Sequence, residues 1–188
     1  MSTAASPLPY RKSDRTGGLV VMGVSGCGKT SVGKLLASGL GYRFLEGDSR
    51  HPEANVEKMR NGIPLDDTDR WPWLENLGAE LADEQATVIS CSALKRSYRD
   101  LLREKSGRPL TFVFLQGDRS LLAARMAARR HEYMPLSLLD SQLATLELPV
   151  GEPDVVTVEI DQPVERIVSV AIARLTSLAL RNGRKTNS

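Results

Sequence analysis

Gly23-Val24-Ser25-Gly26-Cys27-Gly28-Lys29-Thr30 satisfies the pattern G-x-x-x-x-G-K-[ST]. The eight residues follow a short apolar run, Leu19-Val20-Val21-Met22, and precede Val32, Leu35, Leu36 and Leu40, which mark one face of a helix ended by Gly41. A glycine-rich turn between a buried strand and a helix is the setting in which this pattern has meaning. Its glycines let the backbone turn tightly and direct N–H groups inward, where the helix-terminal dipole also favours anionic oxygens. Gly23, Ser25, Gly26, Cys27, Gly28, Lys29 and Thr30 therefore form a candidate cradle for the phosphates of ATP. Lys29 suits the β- and γ-phosphates, and the Thr30 hydroxyl suits a Mg²⁺ ion. Cys27 reads as a spacer, since the motif needs no thiol chemistry. The alternative is an ordinary glycine turn followed by a surface lysine.

Outward from this turn, strand and helix signals alternate. Residues 42–46, 87–91, 111–115 and 155–160 are the further strand candidates. Between them Leu74, Leu77 and Leu81, then Leu94, Tyr98, Leu101 and Leu102, then Leu121, Leu122 and Met126 recur at helical spacing. Leu136, Leu139, Leu143 and Leu146 suggest another helix, and Val164, Ile167, Val168, Ala171, Ile172 and Leu175 line a closing one. Five strands separated by helices predict a three-layer α/β fold with a mainly parallel sheet and right-handed crossovers. Residues 1–17 read as a flexible arm, 18–178 as one domain and 179–188 as a flexible tail.

Composition narrows the possible functions. At 188 residues the chain fits one compact domain, with no room for a separate substrate domain. No apolar run approaches the ~20 residues needed to cross a bilayer, so a soluble, cytoplasmic protein without a membrane partner is expected. Twenty-five Lys and Arg against 23 Asp and Glu leave too small a surplus to imply nucleic acid. Cys27 and Cys91 suggest no disulfide scaffold, and two histidines with no Cys/His spacing pattern make a structural zinc site improbable.

A second constellation lies beyond the second strand. Asp48 opens Asp48-Ser49-Arg50-His51-Pro52, so its carboxylate can face the crevice above the carboxyl ends of the sheet. There it can take the proton of an acceptor hydroxyl, or it can cap a helix beginning near Pro52, and the two roles can coexist. His51, Asn55 and Lys58 follow at helical spacing and can reach one pocket wall, although Asn55 and Lys58 also read as ordinary surface residues. In Asp66-Asp67-Thr68-Asp69-Arg70-Trp71-Pro72-Trp73, Arg70 is the ligand candidate and Asp66 and Asp67 read as solvated turn residues. Trp71 or Trp73 anchors that loop, with Pro72 in the first turn of the next helix. Ser92 and Lys95 follow the third strand towards the same crevice, with Arg99 a turn further on. A basic helix surface is the other reading of these cations.

These segments together resemble the small P-loop gluconokinases, related in fold to shikimate and nucleoside monophosphate kinases. The resemblance runs over residues 19–172. It rests on Gly47-Asp48, His51-Pro52, Asn55, Glu57-Lys58-Met59, Gly62, Pro64-Leu65, Asp69-Arg70, Pro72-Trp73-Leu74, Cys91-Ser92-Ala93-Leu94-Lys95 and Tyr98-Arg99-Asp100-Leu101-Leu102-Arg103. It implies a P-loop nucleoside-triphosphate hydrolase-like fold, a homodimer, and ATP-dependent phosphorylation of D-gluconate to 6-phosphogluconate. Asp48 is then nearest the 6-hydroxyl, with His51, Arg70 and Arg99 binding the polyol acid and Lys58 a weaker candidate.

Arg125-Met126-Ala127-Ala128-Arg129-Arg130-His131 resembles the family's mobile lid, near 124–140, and Gln142 follows in the matching downstream region. Arg129 is the candidate for stabilising the transferring group and Arg125 the next. Asp161-Gln162-Pro163 resembles the segment lining the adenine end of the site, or Asp161 caps the closing helix. The acidic residue familiar after the third strand is missing, which leaves Mg²⁺ to Thr30 and waters, with Asp48 a further candidate. Competing readings are phosphorylation of another hydroxylated anion such as shikimate, or of a nucleotide, and a nucleotide-gated binding protein.

Overall fold

The structure is a computed structural model that describes residues 17–83, 86–128 and 136–185. The apolar run before the glycine turn is strand β1 (Gly18–Met22), buried along its whole length. Helix α1 (Lys29–Leu40) starts directly after Gly28, whose φ of 95° lies in the left-handed region that glycine enters without strain. Then follow β2 (Arg43–Glu46), a single 3-10 turn (Gly47–Arg50), α2 (Glu53–Arg60) and α3 (Asp67–Ala82). The rest of the chain forms β3 (Thr87–Ser90), α4 (Arg96–Ser106), β4 (Leu110–Gln116), α5 (Arg119–Ala127), α6 (Leu136–Thr145), β5 (Val155–Glu159) and α7 (Val164–Lys185).

Among the described residues the five strands form one sheet in the order β2-β3-β1-β4-β5, with every neighbouring pair parallel. Parallel strands of this kind are covered on both faces, and their inner residues are correspondingly apolar: Val20, Val21, Val88, Ile89, Phe112 and Val113 are fully buried. Because all strands point the same way, the loops after β1, β2 and β3 leave the sheet at one end and meet over it. The α/β fold and its five-stranded parallel sheet are thus as expected from the alternating pattern.

Two boundaries differ from expectation. Helix α3 begins at Asp67, a full turn before Pro72, because Asp66 and Asp69 form a capping box: each side chain accepts from the other's backbone N–H, at 2.9 and 3.0 Å. Pro72 therefore sits in the second turn, and Asp66 is a cap instead of a loose turn residue. The closing helix continues to Lys185, past the tail boundary set at 178, since Leu175 and Leu178 both bury against the core and no glycine or proline intervenes before Gly183. No helix among the described residues is long and apolar enough to cross a membrane.

Candidate functional site

The loop after β1 packs against the exits of the neighbouring strands. The Gly23 amide donates to the Ser92 carbonyl at 3.3 Å, and the Cys91 amide to that of Val21 at 3.0 Å, fixing the start of the glycine turn to the segment after β3. The exit of β2 is held equally closely. A Cβ at Gly47 would run into the Ser90 carbonyl, so the chain can pass β3 here only with glycine. The Gly47 amide donates to Ser90 Oγ at 3.1 Å, and that hydroxyl donates to Glu46. Trp73 Nε1 donates to the Gly47 carbonyl at 2.8 Å, tying α3 to the same corner.

These ties bring Ser25, Lys29, Asp48, His51, Arg70 and Ser92 to one cavity, with Trp73, Leu65 and Met59 as its apolar lining. Leu138, Ser141 and Gln142 of α6 close another wall. Lys29 Nζ donates to the Val24 carbonyl at 3.1 Å, and the Ser25 amide donates to Gln142 Oε1 at 2.7 Å. Asp48 is exposed to the opening and does not cap α2, whose preceding residue Pro52 makes no side-chain capping bond. The helix-cap alternative for Asp48 is thereby removed.

His51 stacks on Trp73 with ring centroids 4.0 Å apart and planes 17° from parallel. Asn55, 4% exposed, donates its amide to the Asp69 carbonyl at 2.8 Å and lies 3.3 Å from His51 Nδ1. An amide N–H can only donate, so Nδ1 accepts and a neutral ring carries its proton on Nε2. Burial pushes the His51 pKa below its usual 6.5; the Asp48 charge opposes this and Arg70 reinforces it. A proton NMR titration with His51→Asn as the assignment control should find this ring still neutral below pH 6.5. A depressed pKa stabilises the folded state fully above the unfolded value, and that contribution is lost as pH falls through the folded one. Thermal stability attributable to His51 should therefore decline on the acid side of 6.5; a ring titrating above that value would refute the assignment.

Arg70 is 8% exposed, with Nη1 3.3 Å from Tyr98 Oη and its guanidinium 5.7 Å from that ring's centre. Tyr98 in turn donates to Asp67, the carboxylate that Lys95 Nζ reaches at 2.8 and 2.9 Å. Lys95 is thus engaged with α3 beside the cavity, away from its lining. Lys58 is likewise held by Asp69, at 2.6 and 2.8 Å, and its pKa is raised chiefly by that bond. Asn55 and Lys58 organise the wall from behind: one is too buried to be a surface residue, the other half-exposed and ion-paired.

Arg99 is a correction. Its side chain is 1% exposed and turned away from the crevice, bonded to Glu152 at 2.5 to 3.1 Å and to the carbonyls of Ala93 and Leu94 at 3.0 and 3.2 Å. All three guanidinium nitrogens are engaged, so it cannot bind an acceptor directly. It holds the turn that follows Ser92, where Ala93 takes φ 43°, the one positive value outside glycine among the described residues.

Arg125 donates from Nη2 to the Ile160 carbonyl at 2.6 Å, next in the chain to Asp161, Gln162 and Pro163. It does not line the cavity with Lys29 and Asp48. Arg129, with Arg130 and His131, lies outside the described residues. Thr30 is exposed in the first turn of α1. Cys27 and Cys91 are buried thiols, and burial pushes Cys91 up to about 12. Sequence reasoning missed the contact between Gln142 and Ser25, which joins residues 117 positions apart and leaves no local signal.

The shikimate kinase family model matches residues 25–149. A gluconokinase from Gluconobacter oxydans is 50% identical over 144 residues, covering 74% of this chain and 80% of its own. The thermoresistant gluconokinase of Escherichia coli is 45% identical over 159 residues, covering 81% and 90%. Among solved structures, a gluconokinase from Sinorhizobium meliloti superposes with a TM-score of 0.84 at 54% identity, over 90% of this chain and 97% of that one.

Proposed function

This chain belongs to the gluconokinase family of P-loop kinases, and from that premise we propose that it transfers the γ-phosphoryl group of ATP, with Mg²⁺, to the 6-hydroxyl of D-gluconate. Arg70 carries the acceptor side of this reading. It is a buried guanidinium on the cavity wall whose hydrogen-bond partner is a phenol, with no carboxylate in ion-pairing reach among the described residues. Asp67 and Asp69 lie within range of its charge but form no ion pair with it, and a buried cation without a contacting counter-charge is unfavourable. The carboxylate of a sugar acid entering the cavity supplies that charge, while His51 and Ser92 offer hydrogen bonds to its hydroxyls.

The residues present also fit a triphosphate. The Ser25 amide already faces an oxygen acceptor, the Gln142 carboxamide, and a side chain at Gly28 would meet only open space. No group of three or more His, Cys, Asp or Glu that could hold a metal exists among the described residues. Thr30, phosphate oxygens and water would therefore hold Mg²⁺, which suits an ion that keeps most of its hydration. ATP would supply the phosphoryl group, and Mg²⁺ held beside Thr30 would offset phosphate charge. Asp48 accepts the proton of the attacking hydroxyl, and the Lys29 ammonium stabilises charge as it redistributes.

The test is a magnesium-dependent ATP assay across gluconate, its isomers, shikimate, nucleosides and nucleotides, with the product identified by mass and the phosphorylated position by NMR. Formation of 6-phosphogluconate is expected, and Lys29→Ala should lower turnover by about 10²–10³-fold, as for loss of one charge-stabilising donor. Failure of the folded, magnesium-supplied protein to phosphorylate any sugar acid would reject the reading.

A further inference from the structure

We propose that Gln142 is an internal competitor for the phosphate cradle, holding the Ser25 amide until a nucleotide displaces it and thereby making nucleotide affinity depend on what occupies the acceptor side. This rests on the phosphotransfer reading above and deepens it.

Backbone N–H groups away from water need a partner. In the glycine turn, the Ser25 amide finds its partner in a side-chain oxygen from α6, 2.7 Å away and 117 residues along the chain. The Lys29 ammonium is satisfied in the same internal manner, by the Val24 carbonyl at 3.1 Å. Two donors suited to phosphate are thus already engaged with neutral oxygens of the protein. A phosphate oxygen is the stronger acceptor because it is charged. Nucleotide therefore wins the exchange, but its affinity is reduced by the internal bond it must break.

The position of Gln142 gives that competition a second consequence. Its carboxamide lines the same cavity as Asp48, His51 and Arg70, so it borders both halves of the site. Hydroxyls of an acceptor in that cavity compete with the Ser25 amide for the carboxamide oxygen. Drawing Gln142 towards the acceptor leaves the amide open to phosphate. Acceptor and nucleotide should accordingly strengthen each other's binding, and by thermodynamic linkage to the same extent.

Calorimetric titration of a non-hydrolysable ATP analogue with Mg²⁺ tests this on the full chain, with and without saturating gluconate. Loss of one neutral hydrogen bond sets the scale, so Gln142→Ala should bind the analogue about three- to tenfold more tightly than wild type in the absence of gluconate. Gluconate should tighten binding to wild type but leave Gln142→Ala almost unchanged. Gln142→Glu should bind the analogue more weakly, since its carboxylate repels phosphate while holding the same amide. Gln142→Asn, too short by one methylene to reach Ser25, should follow the alanine variant and stands in for it if alanine impairs folding. A merely structural glutamine would weaken nucleotide binding when removed. Equal or weaker binding in both short variants, with a wild-type response to gluconate, would overturn the proposal. If instead wild type binds no nucleotide, the phosphotransfer reading itself falls.

Discussion

Asp48→Asn should lower kcat with gluconate by about 10²–10⁴-fold, the range for loss of a positioned general base. The KM for gluconate should change far less, because the amide retains shape and hydrogen-bonding capacity while losing the ability to take a proton in the transition state. The structure makes this a clean substitution. Asp48 is exposed at the cavity opening, makes no ion pair among the described residues and caps no helix. Its folding stability should thus stay within about 0.5 kcal/mol of wild type, as for surface changes away from special features. A further readout separates chemistry from misfolding. The Asp48 charge raises the His51 pKa against the lowering caused by burial, so the Asn variant should titrate His51 at a still lower pH. Normal turnover in the variant would remove Asp48 from the reaction.

The second large effect concerns stability. Arg99→Ala should destabilise the fold by about 3–5 kcal/mol, since it removes the buried partner of a buried carboxylate, leaving Glu152 only Arg103, and frees the carbonyls of Ala93 and Leu94. Arg99 and Glu152 have side chains 1% and 3% exposed. Burial alone would raise the Glu152 pKa, but bonds from Arg99 and Arg103 bring it below its ordinary 4.5. The stabilisation from this carboxylate is therefore present above pH 4.5 and is lost as pH falls through the folded value. For a chain of this length the expected loss corresponds to a drop in Tm of roughly 6–20 °C. Replacing both partners with apolar residues, as in Arg99→Met with Glu152→Leu, should recover much of it. Chemical denaturation of the single and double variants measures both. If Arg99→Ala unfolds at the wild-type denaturant concentration, the buried pair contributes nothing to the fold.

Local signals were readable where chemistry and backbone coincide. The glycine turn required three glycines and a Lys-Thr pair within eight residues, and the strands beside it were unbroken apolar runs. The position of Asp48 at the crevice was readable for the same reason, since it sits directly at a strand end. The early start of α3 was also legible in principle, because Asp66 and Asp69 have the spacing of a capping box. Arg99 was misread because residue type argues only for polarity. Which side of α4 turns inward is decided by α3 packing against it and by Glu152, 53 residues away. Lys58 and Lys95 were drawn towards the cavity in sequence reasoning, but the carboxylates of Asp69 and Asp67 hold them beside it.

Trp73, reaching in from α3, braces two groups of the segment after β2 at once: its indole N–H secures the carbonyl immediately before Asp48, and its ring face supports His51. Anyone reshaping this cavity would find these two groups inseparable. A thinner or tilted ring would displace the Asp48 carboxylate and the imidazole together, so substitutions at positions 48, 51 and 73 should combine non-additively. Altered acceptor preference is better sought on the side of Met59 and Leu65, which line the cavity without bracing either group.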